Sequence, residues 1–168
     1  MIERSEVRAW VGLGSNLDDP AGQLQRALLA LDKLPSTRLL RHSRLYRSAP
    51  WGIPDQPAFV NAVAELQTSL DARALLDALL AIERSQGRHR DGTRWGPRTL
   101  DLDLLSYADV QSSEPDLTLP HPHIADRAFV LVPWSELEVD MEIPGAGVVR
   151  DLLARIDARD CVPLDASA

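Results

Sequence analysis

The chain has 168 residues, 45% of them hydrophobic and 26% charged, with a formal net charge of −7. These values predict a single globular domain spanning residues 1–168, large enough to bury a core without disulfides or structural metals. The negative charge argues against nucleic acid or an anionic membrane as a partner. A lone Cys161, no apolar run approaching about 18 residues and no signal peptide predict a cytoplasmic protein.

Hydrophobic periodicity and turn residues predict six elements in the order β-α-β-β-α-β. They are a strand at 7–13 that runs into a tight turn at Gly12–Asn16, a helix between Asp19 and Pro35, strands at 38–47 and 59–68, a helix at 71–86 and a strand at 99–105. A polar loop at 108–116 and a helical C-terminal extension follow. This order is typical of the ferredoxin-like α+β fold, an antiparallel sheet with two helices on one face. In that topology the first and fourth strands are expected to be neighbours at the sheet centre.

The fourth predicted strand carries the strongest functional pattern. Leucines at 100, 102 and 104 alternate with Thr99, Asp101 and Asp103, so the leucines face the core and both aspartates share the opposite face. Their Cα atoms would be ~6.7 Å apart, and carboxylates this close repel unless a cation lies between them. Mg²⁺ is the cation that carboxylates suit, although a solvated strand face is the alternative. The leucine-rich context favours a central strand.

Arginine is dense just before this strand. Five arginines and only one acidic residue lie between positions 84 and 98, and guanidinium groups bind phosphate oxygens. The chain has neither a P-loop nor the kinase signature set. Paired carboxylates beside arginines therefore predict transfer chemistry on a nucleoside triphosphate held by two Mg²⁺ ions.

Other candidates leave alternatives open. Phe59 and Asn61 share one strand face beside a proline-rich loop and could grip a flat polar ring, or could simply be partly exposed. Glu83 lies in the last turn of a helix, where the dipole disfavours an anion, which indicates either a site or an ordinary exposed side chain. His121 and His123 suggest chelation, but zinc needs three or four ligands, so a zinc site is not favoured.

The stretch Arg94-Trp-Gly-Pro-Arg-Thr-Leu-Asp-Leu-Asp-Leu resembles the signature of the 6-hydroxymethyl-7,8-dihydropterin pyrophosphokinase family of the folate pathway. The resemblance extends over most of the chain, through Gly14-Ser-Asn-Leu17, Asp55-Gln-Pro57, Asn61-Ala, Glu83-x-x-x-Gly-Arg88, Pro120-His-Pro and Arg127-Ala-Phe-Val. It implies a ferredoxin-like monomer that transfers the β,γ-diphosphate of ATP to the hydroxymethyl group of the pterin and releases AMP.

The resemblance also implies the site residues. Asp101 and Asp103 are the implied ligands of two Mg²⁺ ions, with Arg88 and Arg98 as further catalytic residues. The implied ATP-binding residues are Glu83, Arg88, Arg90, Trp95, Arg98, Thr118, His121 and Arg127. The implied pterin-binding residues are the backbone of Ser48, Ala49, Pro50 and Trp51, the side chain of Asn61, and the stacking rings of Phe59 and Phe129.

Three departures from the family pattern are visible. Phe59 stands where some members have a tyrosine, which keeps the stacking face. Asp116 replaces an arginine that some members place on the phosphates, and residues 134–140 differ from the usual run, which is expected to affect packing rather than chemistry. No side chain is evident as a general base. The alternatives are a non-catalytic ferredoxin-like binding module and another Mg²⁺-dependent nucleotidyltransferase.

Overall fold

The computed structural model describes residues 5–16, 19–48, 58–86 and 100–164. Its elements in chain order are β1 (Val7–Ser15), α1 (Pro20–Asp32), β2 (Thr37–His42), β3 (Tyr46–Ser48), β4 (Phe59–Thr68), α2 (Ala72–Ser85), β5 (Asp101–Tyr107), β6 (Ser112–Glu114), β7 (Leu117–Leu119), a 3₁₀ turn (Ile124–Asp126), α3 (Ala128–Glu138), β8 (Glu142–Ile143), β9 (Gly147–Val148), α4 (Val149–Leu153) and β10 (Val162–Pro163). The predicted β-α-β-β-α-β frame and its C-terminal helical extension are confirmed.

The main sheet is antiparallel, with β1 and β4 in its middle. On one side β1 pairs with β5, and on the other side β4 pairs with β2 and β3, while β10 pairs with β3. This topology confirms the ferredoxin-like fold and the pairing of the first and fourth predicted strands. The prediction that the aspartate strand is central is wrong, because β5 ends the sheet within the described residues. Its leucines are buried anyway, because Leu102 and Leu104 pack in the core formed with α1 and α2, and Leu105 packs in the core formed with α3.

Two predicted segments differ from the structure. The strand predicted at 38–47 is split into β2 and β3 around Ser43, whose backbone N–H donates to the Val63 carbonyl while its hydroxyl accepts from the Val63 N–H. A side chain thus takes one place in the ladder of hydrogen bonds and interrupts the strand. The polar loop predicted at 108–116 contains β6, which forms a hairpin with β7.

Helices α1 and α2 cover one face of the sheet, as predicted. Asp19 and Asp71 cap them by accepting hydrogen bonds from the backbone N–H groups of Gly22 and Ala74. Their buried leucines form one core with the inward residues of β1, β4 and β5, among them Leu24, Leu31, Leu75, Leu79, Val11, Leu66 and Leu102. Within the described parts of the chain, no helix has the length and apolar character that crossing a bilayer requires.

The C-terminal extension covers half of the opposite face. Trp134 of α3 is fully buried and stacks on Trp10 of β1 with ring centroids 5.1 Å apart, beside Val63 and Leu105. Arg41 of β2 ties the end of α3 to the sheet by donating to the Leu137 carbonyl at 2.6 Å. Asn61 of β4 and Asp101 and Asp103 of β5 lie on the rest of this face.

Candidate active site

Three strands bring predicted site residues into one row on the sheet face opposite α1 and α2. The strand register pairs Asn61 of β4 with Gly14 of β1 and pairs Gly14 with Asp101 of β5, while Asp103 pairs with Gly12. Because neighbouring strands are ~4.8 Å apart, Asn61 lies about 10 Å from Asp101 across β1. The amide of Asn61 and the two carboxylates therefore flank a common strip of backbone.

Gly12 and Gly14 form the floor of this strip, which we call the glycine trough. A Cβ atom at Gly14 would lie 3.0 Å from the Asn61 amide nitrogen, and one at Gly12 would lie 3.3 Å from the Leu105 side chain. The prediction of a tight turn from Gly12 is wrong, since β1 continues through Ser15. Glycine inside a strand marks the close approach of another group, and this was the signal in the sequence that could have revealed the trough.

Asp101 and Asp103 share one face of β5, as the alternation predicts. Both are half-buried, whereas Leu102 and Leu104 on the other face belong to the main core. The two carboxylates line a cleft of about 330 Å³ rather than an open strand face. Among the residues that the structure describes, no cluster of three or more His, Cys, Asp or Glu side chains is arranged to hold a metal. Two protein carboxylates are nevertheless a sufficient set for Mg²⁺, which takes its remaining ligands from water and phosphate oxygens.

Glu83 lies at the same cleft and caps the outer strand. Its side chain is almost fully buried, at 2% relative exposure, and one carboxylate oxygen accepts a hydrogen bond of 2.7 Å from the Leu102 N–H. Because β5 ends the sheet, this N–H points away from β1 and needs an acceptor from outside the ladder. The alternative of an ordinary exposed glutamate is therefore wrong.

The opposite wall of the cleft comes from the β6–β7 hairpin and the segment after it. The backbone N–H of His121 donates to the Leu105 carbonyl at 3.0 Å, which attaches this wall to β5. The cleft is lined by Leu76, Leu80, Glu83, Asp101, Leu102, Asp103, Leu104, Pro115, Asp116, Leu117, Thr118, Leu119, His121 and Pro122. Five residues predicted to bind ATP or Mg²⁺ thus meet at one cavity, namely Glu83, Asp101, Asp103, Thr118 and His121.

Burial lowers the pKa of His121 to about 4, and the positive charge of Arg127 and the neighbouring His123 act in the same direction. Asp101 opposes them without restoring the usual pKa. The imidazole is therefore neutral at neutral pH and can donate or accept a hydrogen bond without adding charge to the cleft.

This shift predicts a loss of stability in mild acid. Between pH 7 and pH 5 the unfolded chain protonates His121 while the folded protein does not, so the free energy of unfolding should fall by about 2 kcal/mol from this group. Urea titrations at the two pH values measure the change. In the His121→Gln variant this part of the pH dependence should vanish, whereas replacing the exposed His42 by Gln should leave it in place. If the free energy of unfolding changes equally between pH 7 and pH 5 in all three proteins, the prediction is contradicted.

Of the predicted pterin-binding residues that the structure describes, Asn61 lies across Gly14 from Asp101, and Ser48 and Phe59 lie beside it on β3 and β4. Phe59 begins β4, pairs with Ser48 of β3 and is half-buried, and Asn61 follows two residues later. Phe129 lies in the first turn of α3, and the Arg127 guanidinium carbon is 5.4 Å from the centroid of its ring. Phe129 packs against the core that joins α3 to the sheet, and Arg127 lies near enough to His121 to lower its pKa.

The remaining predicted site residues lie outside the described residues. These are Ala49, Pro50 and Trp51 of the proline-rich loop, and Arg88, Arg90, Trp95 and Arg98 of the arginine-rich segment. Their assignments stay predictions.

Asp116, one of the three departures from the family pattern, also lines the cleft. It pairs with Arg73 of α2 at 2.9 Å, and Arg73 contacts Glu114 at the same distance. The hydrogen bond and charge of Arg73 lower the pKa of Asp116. A carboxylate paired with Arg73 therefore occupies the position at which some family members have an arginine. The pairing of Asp116 with Arg73 was not predicted from the sequence.

The amino-acid sequence matches a known protein family. The family model described as 7,8-dihydro-6-hydroxymethylpterin-pyrophosphokinase (HPPK) matches residues 10–139. A Pseudomonas aeruginosa protein named 2-amino-4-hydroxy-6-hydroxymethyldihydropteridine pyrophosphokinase is 52% identical over 147 residues, which are 88% of this chain and 90% of that protein. The Haemophilus influenzae protein of the same name is 41% identical over 95% of this chain and 99% of its own length.

Solved structures show the same fold at much lower identity. Wild-type Plasmodium falciparum HPPK-DHPS superposes with a TM-score of 0.69 at 13% identity, and its complex with pteroate superposes with a TM-score of 0.71 at 12% identity. Each match covers 92% of this chain, which spans less than half of those longer chains, at 45% and 43%.

Proposed function

The chain belongs to the 7,8-dihydro-6-hydroxymethylpterin-pyrophosphokinase family, and on that premise we propose that it transfers diphosphate from ATP to 6-hydroxymethyl-7,8-dihydropterin in folate biosynthesis. One observation carries the proposal. The Asn61 amide and the Asp101 and Asp103 carboxylates lie on one sheet face, on either side of Gly12 and Gly14 of β1. An amide suits the edge of a polar ring and paired carboxylates suit cation-bound phosphates, so the two substrates can meet between them.

ATP occupies the cleft of Glu83, Thr118 and His121 in this proposal. The apolar side chains of Leu76, Leu80 and Leu117 offer a surface for the nucleobase, while Thr118 and neutral His121 offer hydrogen bonds. The phosphates then extend toward Asp101 and Asp103. The predicted arginines at positions 88, 90 and 98, together with Trp95, would complete the triphosphate site.

Asp101 and Asp103 would hold two Mg²⁺ ions. Their oxygen donors, shared strand face and half-buried position fit a hard cation that is bound by one or two carboxylates and by phosphate oxygens. When bound, the ions neutralise the charge of the phosphate oxygens. Glu83 supports this pair by fixing the Leu102 N–H between them.

The transfer step forms one bond and breaks another. The hydroxymethyl oxygen of the pterin bonds to the β-phosphorus, the bond from the β-phosphorus to the oxygen that bridges to the α-phosphorus breaks, AMP leaves, and the hydroxyl proton passes to solvent. The residues of the chain bind and align the two substrates, and preorganised positive groups stabilise the charge that develops.

The test is AMP release from ATP and Mg²⁺, measured with and without 6-hydroxymethyl-7,8-dihydropterin. We expect AMP and pterin diphosphate in equal amounts, and no AMP when the pterin is omitted. AMP release that ignores the pterin would indicate another Mg²⁺-dependent nucleotidyltransferase. Binding of either substrate without any turnover would indicate a non-catalytic binding module.

Replacing Phe129 by alanine should raise the KM for the pterin about tenfold, because stacking against a ring adds roughly 0.5–1.5 kcal/mol beyond the buried area. The KM for ATP should change little, since Phe129 does not line the ATP cleft. Phe129→Leu keeps an apolar side chain and is the matched control for packing alone. Equal increases of both KM values in Phe129→Ala would show that Phe129 supports the fold rather than the pterin.

The proposal treats residues 1–168 as one pyrophosphokinase domain that acts as a cytoplasmic monomer. The single domain is supported by the main sheet, which lies between the two hydrophobic cores and contributes residues to both. The buried Cys161, whose pKa burial raises to about 11, is a poorly reactive thiol and is compatible with a reducing compartment. Sedimentation equilibrium of the purified chain tests the oligomeric state.

A further inference from the structure

Ser48 and Asn61 form a buried pair of polar side chains at the edge of the glycine trough. They are only 7% and 5% exposed, and the Ser48 hydroxyl donates to the Asn61 side-chain oxygen at 2.6 Å. The two residues lie on neighbouring strands, β3 and β4, but are not register partners, because Asn61 pairs with Tyr46 and Ser48 pairs with Phe59. The hydrogen bond is therefore a diagonal contact across the sheet.

The Asn61 carboxamide adopts one of its two directions in this contact. The oxygen end is turned toward Ser48, and the nitrogen end lies over Gly14, where a Cβ would be 3.0 Å away. The NH₂ group is a donor and the oxygen is an acceptor, so the direction of the amide decides which ligand atoms it can bind. The terminal torsion of asparagine is broad and roughly two-fold, so the backbone alone does not select one direction.

We propose that Ser48 is a positioning residue, whose hydroxyl holds the Asn61 carboxamide so that its NH₂ group faces acceptor atoms on the edge of the pterin ring. The inference rests on the proposed function and deepens it, because the resemblance assigned only the backbone of Ser48 to the pterin pocket. A buried hydrogen bond that is already formed spares the substrate the entropy cost of ordering the amide. Ser48 thus contributes to pterin affinity without touching the ring through its hydroxyl.

The neighbouring glycine supplies an independent consequence. Gly14 has no positive φ, so alanine is compatible with its backbone, but the added methyl group would crowd the Asn61 nitrogen at 3.0 Å. Gly14→Ala should therefore raise the KM for the pterin by blocking the donor that Ser48 holds in place.

A double-mutant cycle tests the inference. Steady-state kinetics are measured for Ser48→Ala, Asn61→Ala and the double variant, with Ser106→Ala as a control for loss of another buried serine hydroxyl on the same sheet. We expect Ser48→Ala to raise the KM for the pterin about threefold to tenfold, the range for one hydrogen bond, and to leave the KM for ATP unchanged. In the Asn61→Ala background the same change should have no effect, because Ser48 acts through Asn61.

Two further variants distinguish loss of the hydrogen bond from a general loss of folding. Ser48→Thr keeps the hydroxyl and should restore most of the pterin affinity. If Ser48→Ala does not fold, Ser48→Cys keeps the side-chain volume with only a weak donor, and it should raise the KM for the pterin in the same direction. An unchanged KM for the pterin in Ser48→Ala or Ser48→Cys, or an increase in Ser48→Ala that is equal with and without Asn61, would overturn the inference while wild-type activity stands. Wild-type protein without pterin-dependent AMP release would overturn the proposed function and the inference together.

Discussion

Alanine at Asp101 or at Asp103 should lower kcat by about a thousandfold, a typical loss for removing one preorganised electrostatic group from a reaction site. Both carboxylates line the cleft and neither belongs to a hydrophobic core, so the fold should survive the change. The reason for the loss is that each aspartate would hold Mg²⁺ against the phosphates. Pterin-dependent AMP release measures the effect, and circular dichroism reports the fold.

Asp109 offers the matched control for these variants. It is an exposed aspartate in the turn directly after β5 and does not line the cleft. Asp109→Ala removes the same negative charge from the chain and should leave kcat near the wild-type value. Near-normal kcat in either cleft variant, with an intact spectrum, would contradict the metal assignment.

Trp134→Ala should lower the free energy of unfolding by about 3–5 kcal/mol, the cost of removing a large side chain from a tight core. Trp134 is fully buried and stacks on Trp10, and it lies at the centre of the core that joins α3 to the sheet. Denaturation in urea measures the change, with the slope of the transition as a check that unfolding stays two-state.

Trp134→Phe is the control that keeps an aromatic ring against Trp10. It should cost clearly less than the alanine variant, because most of the buried area and the ring contact remain. Losses below about 1 kcal/mol in Trp134→Ala would show that α3 is held by its polar anchors instead. Those anchors are hydrogen bonds. Arg41 donates to the Leu137 carbonyl and to the Glu138 carboxylate, and Arg44 and Tyr46 donate to the Glu136 carboxylate.

The divergent segment at 134–140 is explained by these contacts. Trp134 is buried in the core between α3 and the sheet. Glu138 accepts a hydrogen bond from Arg41, and Glu136 accepts hydrogen bonds from Arg44 and Tyr46. The expectation that this segment affects packing agrees with this arrangement.

The local features of this protein could be predicted from the amino-acid sequence. The alternation of leucines with Asp101 and Asp103 determines which face each side chain takes, because strand geometry has a period of two. Asp19 and Asp71 determine the starts of α1 and α2, because a capping side chain needs only the next turn of backbone. The family motifs, read as a resemblance, named the residues that the structure brings to the cleft and the trough.

The tertiary structure decided the features that depend on distant partners. Ser43 splits a strand through its contacts with Val63, Glu83 is buried because β5 ends the sheet, and Gly14 becomes a trough floor only between Asn61 and Asp101. The Ser48–Asn61 hydrogen bond likewise exists only after β3 and β4 have paired. Each of these features depends on which strands pair and in which register, and those pairings join residues far apart in the chain, so local periodicity and propensity alone do not determine them.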